Sequence, residues 1–238
     1  MFKMKKLGAV AASLAFAGAL ALTGCGNSGA PADSAGSADA SGSDTMQLVT
    51  DGTLTIGTSA EYEPFEYMDD GEYKGFDLEL AQAIADDLGL ELKIENVDFD
   101  TIVPGVASGT KYDMGIAAIT ATPEREKEVG FTDSYYMDDQ AIVTMADNTE
   151  ITGDNYADAL NVEGVKIAVQ SGSTAEAFAK ENFPNAELVP FKNATDCFAA
   201  VQSSQANALV TNRSVAAQLV ATSFSNEQVI KQISTGEE

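Results

Sequence analysis

The strongest constraint on the fold is a change of hydrophobic period, from two residues to nearly four and back, made several times along the chain. Residues 53–58 (TLTIGT) alternate apolar and polar side chains as a half-buried strand does. Phe76, Leu80, Ile84 and Leu88 then recur every four residues, with Ala81 and Ala85 beside them and Asp77, Glu79, Asp86 and Asp87 opposite. That pattern predicts an amphipathic helix with Asp77 as its N-cap and Gly89 as its terminator. A strand over 92–97 follows, then a short helix over 101–108 capped by Asp100, with Pro104 still in its first turn. Residues 113–119 are almost continuously apolar, which suits a strand buried on both faces of a parallel sheet. Thr122-Pro123 reads as a cap followed by proline at the first helical position.

The second half repeats the scheme. A strand is predicted over 165–169, and a helix opened by the Ser173–Glu176 capping box and closed by Pro184. Then come a strand over 187–191, a helix over 195–204, a strand over 207–211 and a helix over 214–221. Two such series, joined near 141–145, predict the α/β class with two small lobes, each a parallel sheet flanked by helices. No short solenoid-type period is present. In open α/β sheets ligands sit beyond the carboxyl ends of the strands. Topology alone therefore marks residues 59–65, 99, 117–125, 171–174 and 211–213.

Composition narrows the chemistry. The 238 residues contain no histidine and two cysteines. Histidine-dependent nucleophile arrangements, histidine-ligated metals and a disulfide framework are excluded, so neither a metal nor a cofactor is expected. Carboxylate acid/base chemistry survives this filter. The formal net charge of −24 argues against nucleic acid or an anionic lipid surface as partner.

The first residues read as an address. Lys3, Lys5 and Lys6 precede an uncharged, Ala-rich run over 7–22, about the length of a signal peptide and short for a membrane span. Leu22-Thr23-Gly24-Cys25 then resembles a bacterial lipoprotein box; the alternative is an ordinary secretory signal with a chance cysteine. On the lipoprotein reading residues 1–24 are a signal peptide, Cys25 is lipidated and 25–45 form a flexible Gly/Ser/Ala/Asp tether. Removing 1–24 takes away three lysines and no acid and leaves −27. The protein then works on the extracellular face of the cytoplasmic membrane, held by a lipid anchor. Cys197, among Phe198, Ala199, Ala200 and Val201, reads as a small core thiol.

Five segments together resemble the extracellular solute-binding proteins of the polar amino acid type, family 3, which serve ABC importers. They are GTSAEYEPF (57–65), GFDLEL (75–80), FDTIVP with SGTKYD (99–104 and 108–113), ITATPER to FTDSYY (119–125 and 131–136), and VQSGSTAE (169–176). The resemblance covers about residues 53–229 and implies a hinged two-lobe (Venus-flytrap) periplasmic-binding-protein-like fold of type II. Lobe 1 would span 46–142, lobe 2 143–228, and 229–238 would begin a return segment, with the family's last strand and C-terminal helices falling beyond Glu238.

It also implies a site. Arg125 would grip a ligand carboxylate with its planar fork. Thr120 would bond the same carboxylate, and Ala118 would offer its carbonyl to an α-amino group. Tyr62 and Phe99 would sandwich the ligand stem, although the residues alone read equally as core aromatics. Gly172, Ser173 and Thr174 would close from the second lobe, where the capping box alone has a purely structural reading. Two departures stand out: Asn212 where the family usually has an aspartate for the α-ammonium, and Ser59 where basic-amino-acid binders have an aspartate. Ser59 argues against a Lys or Arg ligand, and Asn212 leaves open a carboxylate without a free ammonium. The expected partners are such a small molecule and an ABC permease, with the binder a monomer. Two rivals use the same fold: a cyclohexadienyl dehydratase-like enzyme with Glu61 as its acid, and a surface interaction protein with a lost pocket.

Overall fold

The structure is a computed structural model that describes residues 46–237. The expected signal peptide, Cys25 and the tether lie outside the described residues. In chain order the elements are β1 (Thr53–Thr58), β2 (Glu61–Tyr62), β3 (Glu66–Asp69), β4 (Glu72–Lys74), α1 (Phe76–Leu88), β5 (Glu91–Asn96), α2 (Ile102–Ala107), β6 (Met114–Gly115) and β7 (Asp138–Met145). They continue with α3 (Tyr156–Leu160), β8 (Lys166–Gln170), α4 (Thr174–Asn182), β9 (Glu187–Phe191), α5 (Ala194–Gln202), β10 (Ala208–Asn212), α6 (Arg213–Thr222) and β11 (Glu227–Glu237).

Two main sheets result. The first has the order β5-β1-β6, all parallel, so the strand–helix–strand pattern produced the connection it implies. Leu54 and Ile56 of β1 and Ile116 pack on Leu78, Ala81 and Ala85 of α1. Leu80 and Ile84 of the expected stripe pack against the same cluster, whereas its ends, Phe76 and Leu88, are exposed. The predicted strand over 113–119 contributes only Met114 and Gly115 to the ladder.

The second sheet has the order β11-β7-β10-β8-β9. Its β10-β8-β9 core is parallel, and β7 and β11 extend it antiparallel. Period two sorts its side chains. Ala141 and Val143 of β7, Ala168 of β8 and Leu209 of β10 face α5 and α6. Ile142, Ile167, Val169 and Val210 face α3 and α4. Being covered on both faces is why these strands read as nearly continuous apolar runs. β7 begins at Asp138 and runs through the expected 142/143 lobe boundary within this sheet. β11 returns alongside it until Glu237 stands opposite Asp138.

Several predicted ends are realised chemically. Gly89 closes α1 in the left-handed conformation at φ 69°, where its N–H meets the carbonyls of Ala85 and Asp86. The Ser173 hydroxyl accepts from the Glu176 N–H at 3.1 Å, and the Glu176 carboxylate reaches back to the Gly172 N–H at 2.7 Å. Two expected caps are not formed. Gly75, not Asp77, precedes α1, and Asp77 lies buried inside its first turn. Asp100 sits in a single 3-10 turn ahead of α2, and its carboxylate pairs with Lys192 at 2.7 Å. The turn after Thr122-Pro123 is likewise a short 3-10 segment, with the Thr122 hydroxyl accepting from the Arg125 N–H at 3.3 Å.

Candidate ligand-binding cleft

Arg125 follows the loop beyond β6 and lies where the two sheets face each other. Its Nη1 donates to the Thr120 carbonyl at 2.7 Å, on its own side. Its Nη2 donates to the Gly172 carbonyl at 3.0 Å, on the opposite side. The guanidinium stands over the Phe99 ring, 5.5 Å from its centroid, in a cation–π arrangement. One planar cation therefore touches both halves of the cleft and an aromatic face.

Tyr62 comes from the first half and reaches the end of β10. Its hydroxyl donates to Asn212 Oδ1 at 2.7 Å and lies 3.3 Å from Thr211 Oγ1. Burial pushes the phenol pKa far above its ordinary value, so the group stays protonated and acts as a donor. Tyr62, Phe99, Ala118, Thr120 and Arg125 surround a cavity of about 10 Å³ together with Ser173, Thr174 and Asn212 from the other side. That space is far smaller than a small-molecule pocket of roughly 300 Å³ or more, so the two sides stand closed against each other here.

Eight of the ten expected site residues thus line one cleft. Gly172 contributes through its carbonyl, and its N–H is already taken by Glu176. Ser59 is the exception: it is buried at 4% exposure and does not line the cavity. Gln170, the last residue of β8, lines the cleft and was missed. Its position at the carboxyl end of a predicted parallel strand was the signal that could have found it. Gly172 is held at φ +75°, and a Cβ there would stand 2.9 Å from Asp100 Cβ across the cleft. Only glycine permits this approach without strain.

Behind the lining, Ala118 also adopts a left-handed backbone at φ +46°, uncommon for a residue with a Cβ. Its N–H donates to Asp77 Oδ2 at 2.7 Å, and the Tyr135 hydroxyl donates to the same oxygen at 3.0 Å. Glu66, fully buried, lies beside Asp77. Burial first, then the neighbouring carboxylate, pushes the Glu66 pKa well up; burial also raises that of Asp77.

Further polar pairs bridge the rim. Thr195 Oγ1 donates to Glu61 Oε2 at 2.8 Å, Gln218 Nε2 to Glu63 Oε1 at 2.8 Å, and Lys192 holds Asp100. A second cavity of about 510 Å³ lies beside the cleft, lined largely by α1, α2, β6 and the 129–136 segment, and shares Ala118, Thr120 and Asn212 with it. Cys197 is buried at 2% exposure with its thiol pushed up to about 12, a core residue as expected. Among the described residues no cluster could hold a metal ion, and no helix is long and apolar enough to cross a membrane.

One parallel and one mixed sheet with an arginine at their facing ends invite comparison with known proteins. The sequence profile of the bacterial extracellular solute-binding proteins, family 3, matches residues 54–212. The chain belongs to that family. Its fold is accordingly the two-lobe type II arrangement. Among curated relatives, the arginine-binding extracellular protein ArtP of Bacillus subtilis (strain 168) is 34% identical over 175 residues, covering 74% of this chain and 58% of ArtP. Among solved structures, an ancestral arginine-binding protein bound to arginine superposes with a TM-score of 0.71 at 36% identity, covering 78% of this chain and 81% of that one. An ancestral amino acid-binding protein, a precursor of cyclohexadienyl dehydratase, gives a TM-score of 0.70 at 36% identity, covering 78% and 83%. This solute-binding protein spans 58%, 61% and 57% of the length of the first three curated relatives it matches.

Proposed function

We propose that this solute-binding protein captures an amino acid or a similar small carboxylate outside the cell and delivers it to an ABC permease. The observation that carries the reading is Arg125, whose fork is presented to both lobes at once over an aromatic ring. A ligand carboxylate would take bidentate bonds from that fork, with Thr120 beside it, while Tyr62 and Phe99 flank the stem. Closure of Ser173, Thr174 and Asn212 from the second lobe would exclude water and strengthen the charge-assisted pair. Micromolar capture requires about −8 kcal/mol, within reach of one such pair, an aromatic sandwich and a few hydrogen bonds. The roles of relatives as arginine-, histidine- and glutamine-binding proteins support this assignment.

We place the protein on the extracellular face of the cytoplasmic membrane, anchored through lipidated Cys25 and working as a monomer. A binding role is favoured over a dehydratase. Glu61, the acid that such an enzyme would use, accepts from Thr195 and is not part of the cavity lining.

Calorimetric titration of the purified protein with small carboxylates tests the reading. Arg125→Ala should weaken the best ligand by roughly 2–5 kcal/mol, the usual cost of truncating one partner of a buried charge pair. Equal affinity in the variant would put the site elsewhere.

A further inference from the structure

We propose that the cleft selects a small carboxylate lacking a free ammonium group, of the 2-keto or 2-hydroxy acid class. This rests on the reading of the cleft as a carboxylate-capturing site around Arg125. The argument is a charge inventory. Among the described residues, the lining presents one cationic side chain, Arg125, and no carboxylate. A zwitterionic amino acid brings an ammonium as well as a carboxylate into the closed cleft. Desolvating an ammonium without an anion beside it is costly, because neutral oxygens replace its hydration only in part.

The nearby acids lie outside this lining, and each holds a partner on at least one carboxylate oxygen. Glu61 Oε2 accepts from the Thr195 hydroxyl at 2.8 Å. Asp100 Oδ2 pairs with Lys192 at 2.7 Å. Asp138 is held by Arg213 Nε at 3.3 Å and by the Ser214 N–H at 3.2 Å. Asp77 Oδ2 takes the Ala118 N–H and the Tyr135 hydroxyl. What the lining offers near Asn212 is a phenol that remains protonated and donates to the Asn212 carbonyl oxygen. Hydroxyls and carboxamides of this kind both donate and accept, which matches a neutral keto or hydroxyl oxygen beside the carboxylate. A cation there would meet neutral acceptors only, with no anion among them.

The test is calorimetric titration of the whole protein with each common primary amino acid and its matching 2-keto acid. In the pair whose side chain fits, the keto acid is expected to bind at least about tenfold more tightly. Equal or tighter binding of the amino acid overturns this inference and leaves carboxylate capture standing. No binding by any member, from protein whose circular dichroism shows it folded, overturns carboxylate capture itself. Asn212→Asp supplies an independent arm. By placing an anion in the lining it should reverse the preference toward the amino acid, and an unchanged preference in the folded variant counts against the inference. Should that variant fail to fold, the comparison on the unaltered protein still decides.

Discussion

Replacing Asp77 by leucine asks whether its carboxylate holds the Ala118 turn at the edge of the cleft. Leucine approximates the side-chain volume and removes the acceptor. The Ala118 N–H, bonded at 2.7 Å in the native protein, loses its partner, and Ala118 loses what fixes its left-handed backbone at φ +46°. An unsatisfied donor costs about 1–3 kcal/mol, and releasing a strained residue changes the total by a similar amount at most. Tyr135 is a partly exposed residue, so its hydroxyl can turn toward water. In the opposite direction, the buried acid disliked its surroundings, as its raised pKa shows, so its removal returns part of the loss. The net expectation is a destabilisation of about 1–3 kcal/mol for Asp77→Leu. Asp77→Asn keeps an acceptor for Ala118 and gains a donor for Glu66, so it should stay within about 1 kcal/mol of the native protein. Urea denaturation followed by far-ultraviolet circular dichroism measures both. If the leucine variant matches the native protein, the Ala118 turn does not depend on this bond. If asparagine is as damaging as leucine, charge rather than acceptor geometry does the holding.

Other expectations follow from single groups. Burial raises the Glu227 pKa from 4.5 to about 8. The folded state then binds the extra proton between those values, so stability contributed here is full below about 4.5 and declines as pH rises to about 8. Glu227→Gln should raise the melting temperature at pH 8.5, with the advantage shrinking toward pH 4.5; a pH-independent difference would rule this out. Gly172→Ala places a Cβ 2.9 Å from Asp100 Cβ at φ +75°. It should cost about 1–2 kcal/mol and part the lobes, read as a larger radius of gyration in X-ray scattering. Cys25→Ser should move the protein from the membrane fraction to the medium, and retention in the membrane would refute the lipid anchor.

Much of the fold was legible because its cues are local. Gly89 and the Ser173–Glu176 box mark helix ends with groups a few residues apart, and both do so in the structure. The β3–β4 hairpin was legible too but went unread. Asp70-Gly71 between alternating residues is a two-residue turn signal, and both adopt positive φ, 51° and 82°. Asp77 misled because the same residue type caps helices and fills buried acceptor sites, and only the approach of Ala118 and Tyr135 distinguishes the two. The ends of the α1 stripe, Phe76 and Leu88, misled in the same way, since a period of four residues fixes that a helix has an apolar side, while the sheet beneath decides how far along that side burial extends.

The cleft divides along the same line. Residue types and their order, a signal-like leader, two βαβ series and an arginine beyond a strand end, were determined by the sequence, because hydrophobic period and turn chemistry act over a few residues. Bringing Arg125 to the Gly172 carbonyl, Tyr62 to Asn212, and Gln170 into the lining while Ser59 stayed outside was decided by tertiary structure. Those contacts join residues 47 and 150 positions apart. No local preference specifies such a meeting; it follows from how two sheets, each closed over its own core, come to face one another.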